Sequence, residues 1–431
     1  MNNCKENLWM GNTPSNWKLE RLQWHLDEIN QKNYPVKTSS ILSLTNKLGV
    51  VPYSEKGNQG NVAKESIDEY KLAYPDTIVA NSMNILIGSV GYCNYYGCVS
   101  PVYYVYKSKI GTNIKFVNYV FQTQEFQKEL RKFSKGILEI RLRVSSNDIL
   151  KRKVAFPSKN EQDKIVETLA KKESIINQLI SNQEKQIEKL KEYRQAIITK
   201  AVTKGLDPNA PMKDSGVKWI GEIPENWSTI RIKNVSWLKG RIGWDGLKSS
   251  EFIDSGPYLI TGTDFSNGSI NWKTCAHISE ERYLQDELLH IKENDLLITK
   301  DGTIGKLAIV KNCPEKVSLN SGVMIIRNDT IFKYSNRYLY YVLQSNQFFL
   351  WYELSQSGNS TIKHLYQAQF YNFEFSYPSL NEQSNIANYL DERCSKIGLL
   401  LDSFEQKICK LKAYKQSLIY EYVTGKKRVS L

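Results

Sequence analysis

The segments that most resemble known ligand-binding motifs are two short glycine-containing ones, GSVG at Gly88–Gly91 and DGTIG at Asp301–Gly305. The second segment lacks the GxxxxGK[ST] spacing of a phosphate-binding loop, and the first is too short for a dinucleotide fingerprint. The sequence also contains no GxSxG nucleophile elbow and no paired carboxylates beside a metal-type histidine. We therefore predict that the chain has no catalytic residues of its own.

The seven cysteines and four histidines are scattered along the chain. Only Cys93 and Cys98 are close in sequence, and no second pair or histidine cluster stands at zinc-ligand spacing. Reduced, packed thiols are predicted, with neither a metal nor a cofactor bound by this chain. The sequence shows no secretory signal and no apolar run of the roughly 18 residues that span a bilayer, which predicts a cytoplasmic protein without a membrane partner.

Polar side chains at predicted loop tips are the remaining candidates for function. Asn suits adenine edges, Lys suits guanine or phosphate, and Asp accepts from cytosine. A net charge of +13 is compatible with a polyanionic partner. The alternative interpretation is ordinary turn chemistry, because Asn and Asp are common turn residues. The candidate DNA-binding residues are Asn81, Ser82, Asn84, Tyr92, Asn94, Tyr95, Tyr96, Thr261, Thr263, Lys300, Asp301, Thr303 and Lys306.

The elements that carry these residues are used twice, because the chain contains a long internal repeat. FPSKNEQDKIVETL at 156–169 returns as YPSLNEQSNIANYL at 377–390, and LKEYRQAIITKAVT at 190–203 returns as LKAYKQSLIYEYVT at 411–424. The interval between the two copies is the same at both ends of this stretch, so its length is constant. A repeat of this kind indicates two half-molecules, each a variable globular block followed by a helix.

The constant segments have the heptad pattern of coiled-coil helices. Five positions spaced by seven residues are mostly apolar in the first copy and wholly apolar in the second. They are Leu169, Ile176, Gln183, Leu190 and Ile197, followed by Leu390, Ile397, Phe404, Leu411 and Leu418. The matched pairs Leu179 with Leu400, Ile187 with Ile408 and Tyr193 with Tyr414 extend the pattern.

Because the block between the two helices lets the chain fold back, we expect an antiparallel pair within one chain, on the order of 65 Å long. The alternative is that each helix pairs with another subunit in an open dimer. Lys and Arg outnumber Glu in 184–204 and in 405–428, which indicates either a solvated helix face or a surface that contacts nucleic acid or a partner.

The globular blocks share a pattern of short strands separated by Gly and Asn turns, as in 74–107 and 292–327. This pattern predicts a twisted sheet with protruding loops, and loops on a rigid scaffold are where recognition usually occurs.

Over nearly its whole length the chain resembles the DNA-specificity subunit of type I restriction–modification systems. The resemblance is carried by the repeated P-x-N-W motif (Pro14–Trp17 and Pro224–Trp227) and the repeated P-S-x-N-E-Q-x-x-I motif (Pro157–Ile165 and Pro378–Ile386). Further matching segments are VVPYSEKG at 50–57, NSMNILIGSVG at 81–91, VSPVYYV at 99–105 and NDLLITKDGTIGK at 294–306. Lys56 of the first of these is a further candidate DNA-binding residue.

The resemblance implies a non-catalytic subunit that reads a bipartite, asymmetric site on double-stranded DNA, with the helices as a ruler for the gap. It also implies two methyltransferase subunits for adenine N6-methylation and motor–nuclease subunits for cleavage. S-adenosylmethionine, ATP and Mg²⁺ are expected in those partners. The rival hypothesis is a coiled-coil scaffold whose blocks bind proteins. The phosphate-contact element of the family is clearer in the second copy, where it falls on Gly358, Ser360, Thr361 and Lys363.

The predicted fold class is therefore α+β. It comprises two β-rich target-recognition domains in a pseudo-twofold arrangement, separated by an antiparallel coiled coil of two long helices. The predicted segments are an N-terminal recognition domain at 1–155, a first helix region at 156–205, a linker and C-terminal recognition domain at 206–376, and a second helix region at 377–431.

Overall fold

The structure, a computed structural model, describes residues 9–45, 49–57, 63, 66–135, 142–241, 246–328, 334–355 and 364–429. The chain forms two compact units. Unit 1 comprises Met1–Gln183 with Glu405–Leu431, and unit 2 comprises Glu184–Phe404. Each unit therefore contains one globular block and parts of both constant segments. The predicted four-segment division is a different partition, and it stays a prediction.

Unit 1 is built on a four-stranded antiparallel sheet in the order β2-β9-β6-β7. In its centre, Val79 of β6 pairs with Gly91 of β7 on one side and with Val105 of β9 on the other. Short two-stranded pairings of β3 with β4, β5 with β8 and β1 with β10 surround it. The strands are β1 (Lys18–Arg21), β2 (Leu26–Glu28), β3 (Leu42–Thr45), β4 (Gly49–Pro52), β5 (Lys71–Ala73), β6 (Thr77–Asn81), β7 (Val90–Cys93), β8 (Gly97–Val99), β9 (Tyr103–Ser108) and β10 (Lys153–Phe156).

Three helices pack beside this sheet before the long helix begins. They are α1 (Ile114–Gln122), α2 (Gln124–Arg131) and α3 (Ser146–Leu150). The 46-residue helix α4 (Lys159–Lys204) follows, and its part up to Gln183 belongs to unit 1.

Unit 2 repeats this plan with a four-stranded antiparallel sheet in the order β14-β22-β19-β20. It adds a mixed sheet in which β15 pairs antiparallel with β18 and parallel with β21. The pairing of β13 with β23 in unit 2 corresponds to that of β1 with β10 in unit 1.

The strands of unit 2 are β11 (Met212–Asp214), β12 (Glu222–Pro224), β13 (Ser228–Arg231), β14 (Ser236–Gly240), β15 (Ile253–Ile260), β16 (Phe265–Ser266), β17 (Ser269–Ile270), β18 (Ala276–His277), β19 (Leu296–Thr299), β20 (Leu307–Ile309), β21 (Val317–Leu319), β22 (Val323–Asn328) and β23 (Glu374–Tyr377). Its helices are α5 (Glu280–Leu284), α6 (Asn336–Val342), α7 (Asn346–Ser355) and α8 (Gln367–Phe370), after which the 44-residue α9 (Leu380–Val423) begins.

The repeated P-S-x-N-E-Q motif explains where both long helices start. The hydroxyl oxygen of Ser158 accepts a hydrogen bond from the N–H of Glu161, as Ser379 does from Glu382, both at 3.3 Å. These serines satisfy N–H groups that have no partner inside the helix. The next residue, Gln162 or Gln383, is buried and its amide donates to the carbonyl oxygen of the motif proline.

The two long helices run antiparallel within each unit, as predicted. In unit 1, Glu173 of α4 pairs with Lys415 of α9 at 3.1 Å, and Glu161 of α4 pairs at 3.3 Å with Arg428, five residues past the end of α9. Residue numbers therefore rise along one segment as they fall along the other. In unit 2, Ile198 and Val202 near the end of α4 share a hydrophobic core with Leu390 and Ile386 near the start of α9. The antiparallel pairing within one chain is confirmed.

Both helices end on a glycine that packs against the P-x-N-W motif. Gly205 follows α4 with φ +72°, and a Cβ there would lie 3.2 Å from Trp227 of unit 2. Gly425 follows α9 with φ +73°, against Pro14 and Trp17 of unit 1. Positive φ is readily adopted only by glycine, which explains why α4 stops before Gly205 and why α9 ends within two residues of Gly425.

The heptad positions nearest the ends of the series lie on the buried side of the helices. Leu169 and Leu390 are fully buried, and Leu418 is nearly so. The middle positions, including Gln183 and Phe404, are half-buried. No described helix is both long and apolar enough to cross a membrane.

Candidate nucleic-acid interface

In both units several of the predicted recognition residues lie on the hairpin loop that leaves the third strand of the four-stranded sheet. In unit 1 this loop is 82–89, between β6 and β7, and in unit 2 it is 300–306, between β19 and β20. Because the strand order is the same, the two loops occupy equivalent places on their own sheets. The similar sequence pattern of the two blocks thus corresponds to the same strand order in their four-stranded sheets.

The unit 2 loop is organised by the buried Thr299 at the end of β19. Its hydroxyl donates to the carbonyl oxygen of Thr303 at 2.6 Å and accepts from the N–H of Lys306 at 2.9 Å. Gly302 and Gly305 have φ of +65° and +84°, which closes the turn. Thr303 and Lys306 are left exposed at the tip, where they are accessible to a ligand.

Lys300 is the first residue of this loop, but its side chain is buried rather than exposed at the tip. Its side chain is 9% exposed, and its ammonium donates to the carbonyl oxygen of Arg241 at 3.0 Å. Burial lowers the pKa of Lys300, and the neighbouring Asp301 opposes that effect. Arg241 is itself buried and donates to the carbonyl of Leu319 and the hydroxyl of Ser318. Lys300 therefore ties the loop to the end of β14, and a DNA contact by its ammonium stays a prediction.

Asp301 is joined to the segment that precedes α8. Its carboxylate is hydrogen-bonded to the ring of His364, and the backbone N–H of Leu365 donates to the carbonyl oxygen of Lys300 at 3.0 Å. About two fifths of the Asp301 side chain is exposed, so the carboxylate is accessible as well as oriented. The candidates Gly358, Ser360, Thr361 and Lys363, which precede His364, lie outside the described residues.

The other unit 2 candidates, Thr261 and Thr263, form a turn around the buried Asp264. The Asp264 carboxylate accepts from the N–H of Thr261 at 2.7 Å and from its hydroxyl at 2.8 Å. The hydroxyls of Thr261 and Thr263 lie 2.7 Å apart, and Thr263 is exposed. Thr263 is thus the accessible member of this turn.

In the unit 1 loop, Asn81 and Ser82 are buried and Asn84 is exposed. The Asn81 side-chain oxygen accepts from the N–H of Met83 at 3.0 Å. Asn81 thus stabilises its own turn, as the alternative interpretation of these residues predicts. A short 3-10 turn at Ile85–Ile87 follows and ends at Gly88 with φ +83°. Asn84 is therefore the polar side chain that this loop presents to solvent, together with the exposed Ile87.

Tyr92, on β7, is fixed from two sides. Its hydroxyl donates to the carboxylate of Asp76, and the ammonium of Lys115 lies 4.7 Å from the centre of its ring. Burial, reinforced by the Asp76 carboxylate, raises the pKa of Tyr92 to about 12. The phenol therefore stays protonated at neutral pH.

The turn between β7 and β8 presents Asn94, Tyr95 and Tyr96 to solvent. The ring of Tyr96 lies 5.4 Å from that of Tyr74, whose hydroxyl donates to Gln31 at 2.8 Å. This gives unit 1 a small exposed aromatic surface. Lys56 is different, because it is 9% exposed and its ammonium lies 4.6 Å from the centre of the Tyr53 ring.

The structure adds residues that the sequence reading missed, namely Asp76 and Lys115 beside Tyr92, and Arg241 and His364 beside the 300–306 loop. Each is distant in sequence from its partner, and no local motif marks it. Within the described ranges, no group of three or more His, Cys, Asp or Glu side chains is placed to hold a metal ion. The cysteines in those ranges are free thiols.

The match to a known protein family covers mainly the globular block of unit 2. Residues 224–400 match the family described as type I restriction modification DNA specificity domain. The chain is 27% identical over 285 residues to the type I restriction enzyme MjaVIII specificity subunit of Methanocaldococcus jannaschii, covering 64% of this chain and 62% of that protein. It is 25% identical over 225 residues to the EcoBI specificity subunit of Escherichia coli, covering 51% and 46% respectively. The chain thus spans less than two thirds of the length of these relatives.

Two solved structures share the fold. One comes from work on complex assembly and conformational transition of the type I R-M system, with a TM-score of 0.71 and 14% identity over 96% of this chain and all of that chain. The other is the HsdS subunit from Thermoanaerobacter tengcongensis, with a TM-score of 0.51 and 14% identity over 96% of this chain and 98% of that one. The predicted α+β class with two long helices is confirmed.

Proposed function

We propose that this chain is a specificity subunit of a type I restriction–modification system, a non-catalytic subunit that reads a bipartite, asymmetric site on double-stranded DNA. Unit 1 would read one half of the site and unit 2 the other. The chain would act in the cytoplasm, in a complex whose other subunits methylate and cleave the DNA.

One observation carries the proposal: the two units have the same four-stranded sheet but different side chains on the loop that follows its third strand. Asn84 is exposed in one, and Thr303 and Lys306 are exposed in the other. A shared scaffold with divergent tips is what two readers of different short sequences require, since base edges are distinguished by the donors and acceptors that face them.

Affinity would come chiefly from contacts to phosphate, and sequence preference from the loop tips. The net charge of +13 supports the first part. The exposed carboxylate of Asp301, oriented by His364, supports the second, because a carboxylate accepts from the cytosine amine and is repelled by phosphate.

The partners would be two methyltransferase subunits and the motor–nuclease subunits, which would hold S-adenosylmethionine, ATP and Mg²⁺. Equivalent apolar side chains are exposed on both long helices, which supports two copies of one partner. Leu179 and Leu400 are 44% and 48% exposed, and Tyr193 and Tyr414 are both 52% exposed. Exposed apolar groups at matched positions are suited to equivalent protein contacts.

The proposal is tested by assembling the chain with its methyltransferase subunit and sequencing the DNA of the expressing cells for methylated adenines. We expect one split motif with a fixed gap. The purified complex should bind DNA carrying that motif more tightly than DNA in which one half is scrambled, and binding should weaken steeply with salt. Equal binding to every DNA sequence would contradict the proposal and favour the protein-binding scaffold.

A further inference from the structure

A polar cleft of about 590 Å³ lies within unit 1, beside the end of the 82–89 loop and lined in part by Tyr92. Its walls come from β7, from α1 and α2, and from the unit 1 parts of the long helices. The side chains that matter are Tyr92, Lys115, Asn118, Gln122, Gln127 and Glu173. The volume falls in the range of small-molecule sites, and the lining is mainly polar.

Asn118 is the most informative residue of the cleft. It lines the cleft from α1, it is 8% exposed, and its side-chain oxygen has no hydrogen-bonding partner in the described part of the chain. A buried carbonyl oxygen without a donor is costly, and native proteins rarely leave one unpaired. Asn118 thus brings to the wall of the cleft an amide whose oxygen lacks a hydrogen-bond donor.

The charges of the cleft indicate an anionic ligand. The carboxylate of Glu173 is already satisfied, since it accepts from the hydroxyl of Tyr119 at 2.6 Å and pairs with Lys415 at 3.1 Å. Lys115 is exposed, and its described partner is the ring of Tyr92 rather than a carboxylate. Its ammonium is thus the uncompensated charge at this site.

We propose that the cleft binds an adenine nucleotide, with the base over Asn118 and the phosphate on Lys115. An asparagine amide pairs with adenine in two places, because its oxygen accepts from the exocyclic N6 amine while its nitrogen donates to N7. A lysine ammonium supplies three donors to a phosphate. The nucleotide is either a free one or one displaced from a DNA strand, and this inference holds or fails independently of the proposed DNA reading.

The test uses the full-length chain and isothermal titration calorimetry with adenosine 5′-monophosphate. The comparison ligand is purine riboside 5′-monophosphate, which lacks only the exocyclic amine. We expect the adenine nucleotide to bind about tenfold more tightly, because the amine supplies the donor that Asn118 needs. Equal affinities, or no saturable binding of either nucleotide, would overturn the proposal.

Two variants locate the binding. Lys115→Met should weaken binding of both nucleotides about tenfold, whereas Lys128→Met, an exposed lysine on α2 outside the cleft, should leave it unchanged. Asn118→Leu should abolish the preference for the amine. If that variant does not fold, the two-ligand comparison on the unaltered chain still decides the question. Binding that persists unchanged in Lys115→Met would place the nucleotide elsewhere and refute the assignment.

The source of the nucleotide is decided by competition in the complex with the methyltransferase. If DNA displaces the bound monophosphate, the cleft receives a nucleotide of the DNA. If both bind together, the ligand is a free nucleotide, and both results support the site. A complex that reads DNA with full sequence preference but binds no adenine nucleotide would refute the cleft alone, leaving the proposed function intact.

Discussion

The ammonium of Lys300 lies 3.0 Å from the main-chain carbonyl oxygen of Arg241, and both side chains are more than nine-tenths buried. This hydrogen bond joins the first residue of the 300–306 loop to the residue after β14. The adjoining bonds of Lys300 and Asp301 to the 364–365 segment hold the same loop from another side. The loop of unit 2 is therefore held by two separate parts of the chain.

Lys300→Met should destabilise the fold and leave the salt dependence of DNA binding unchanged. The free energy of unfolding should fall by about 1–3 kcal/mol, because a buried carbonyl loses its donor. The slope of log affinity against log salt should stay the same. Lys306→Met is the matched control. If Lys306 contacts phosphate, the slope of log affinity against log salt should be smaller by about 1 in this variant, without loss of stability. The opposite pattern would make Lys300 a phosphate contact.

The two halves of the DNA site should respond to separate substitutions. Thr303→Ala should relax base preference in one half of the methylated motif, at a cost of about 1–3 kcal/mol if the hydroxyl contacts a base. Asn84→Ala should act on the other half. Both residues are exposed, so the folded state should be preserved. Methylome sequencing of each variant is the measurement, and a change in both halves from one substitution would argue against independent readers.

The two helix-ending glycines should differ in their tolerance of alanine. A Cβ at Gly425 would overlap the ring of Pro14, whereas one at Gly205 would meet the edge of Trp227 at 3.2 Å. Both have positive φ, so both variants should lose about 1 kcal/mol from the backbone alone, with a larger loss at Gly425. Urea denaturation measures this. Gly216→Ala, also at positive φ but with open space around it, separates the backbone effect from the packing effect.

Removing one heptad from both helices, 184–190 together with 405–411, should shorten the gap of the recognised motif or abolish binding, with each half-site preference intact. Removing 184–190 alone should be more harmful, since one helix then shifts by seven residues against an unchanged partner. Methylome sequencing and thermal unfolding report the two effects. A changed base preference with an unchanged gap would contradict the role of the helices as a ruler.

Tyr92 should make the stability of the chain fall at alkaline pH. Its pKa is raised from 10.0 to about 12 by burial and by Asp76, so the folded state holds this proton more tightly than the unfolded state. The contribution is present below pH 10 and is lost as the pH rises from about 10 through about 12. Tyr92→Phe should therefore show a weaker decline in stability between those values, by urea denaturation at several pH values. Tyr95→Phe, which removes an exposed phenol, should decline as the unaltered chain does.

The helices could be predicted from sequence because their signals are local and periodic. Ser158 and Gly205 mark the ends of α4, and Leu169 and Ile176 lie in the core as the heptad pattern requires. The pattern was less informative at Leu179 and Tyr193, which match the repeat but are largely exposed. A repeated residue is therefore equally consistent with burial and with a shared surface.

The loop contacts could not be predicted, because they depend on which strands become neighbours. Asp301 and His364 are far apart in sequence, and so are Lys300 and Arg241. The structure contains both a turn-forming residue and an exposed residue among the polar loop candidates, since Asn81 accepts from the backbone of its own turn and Asn84 is exposed. Burial of Lys300 and Lys56 carries no local signature that distinguishes them from the exposed Lys306.

The two glycine contacts have a topological consequence. The end of α4 packs on Trp227 of unit 2, and the end of α9 packs on Trp17 of unit 1, so each long helix closes onto the start of a globular block. The hydroxyl of Tyr420 also donates to the carbonyl oxygen of Trp9 at 3.4 Å. The globular blocks and long helices therefore follow one another in a closed circle. A circular permutant that begins and ends within 206–223, with residue 429 joined to residue 9, would keep both glycine–tryptophan contacts.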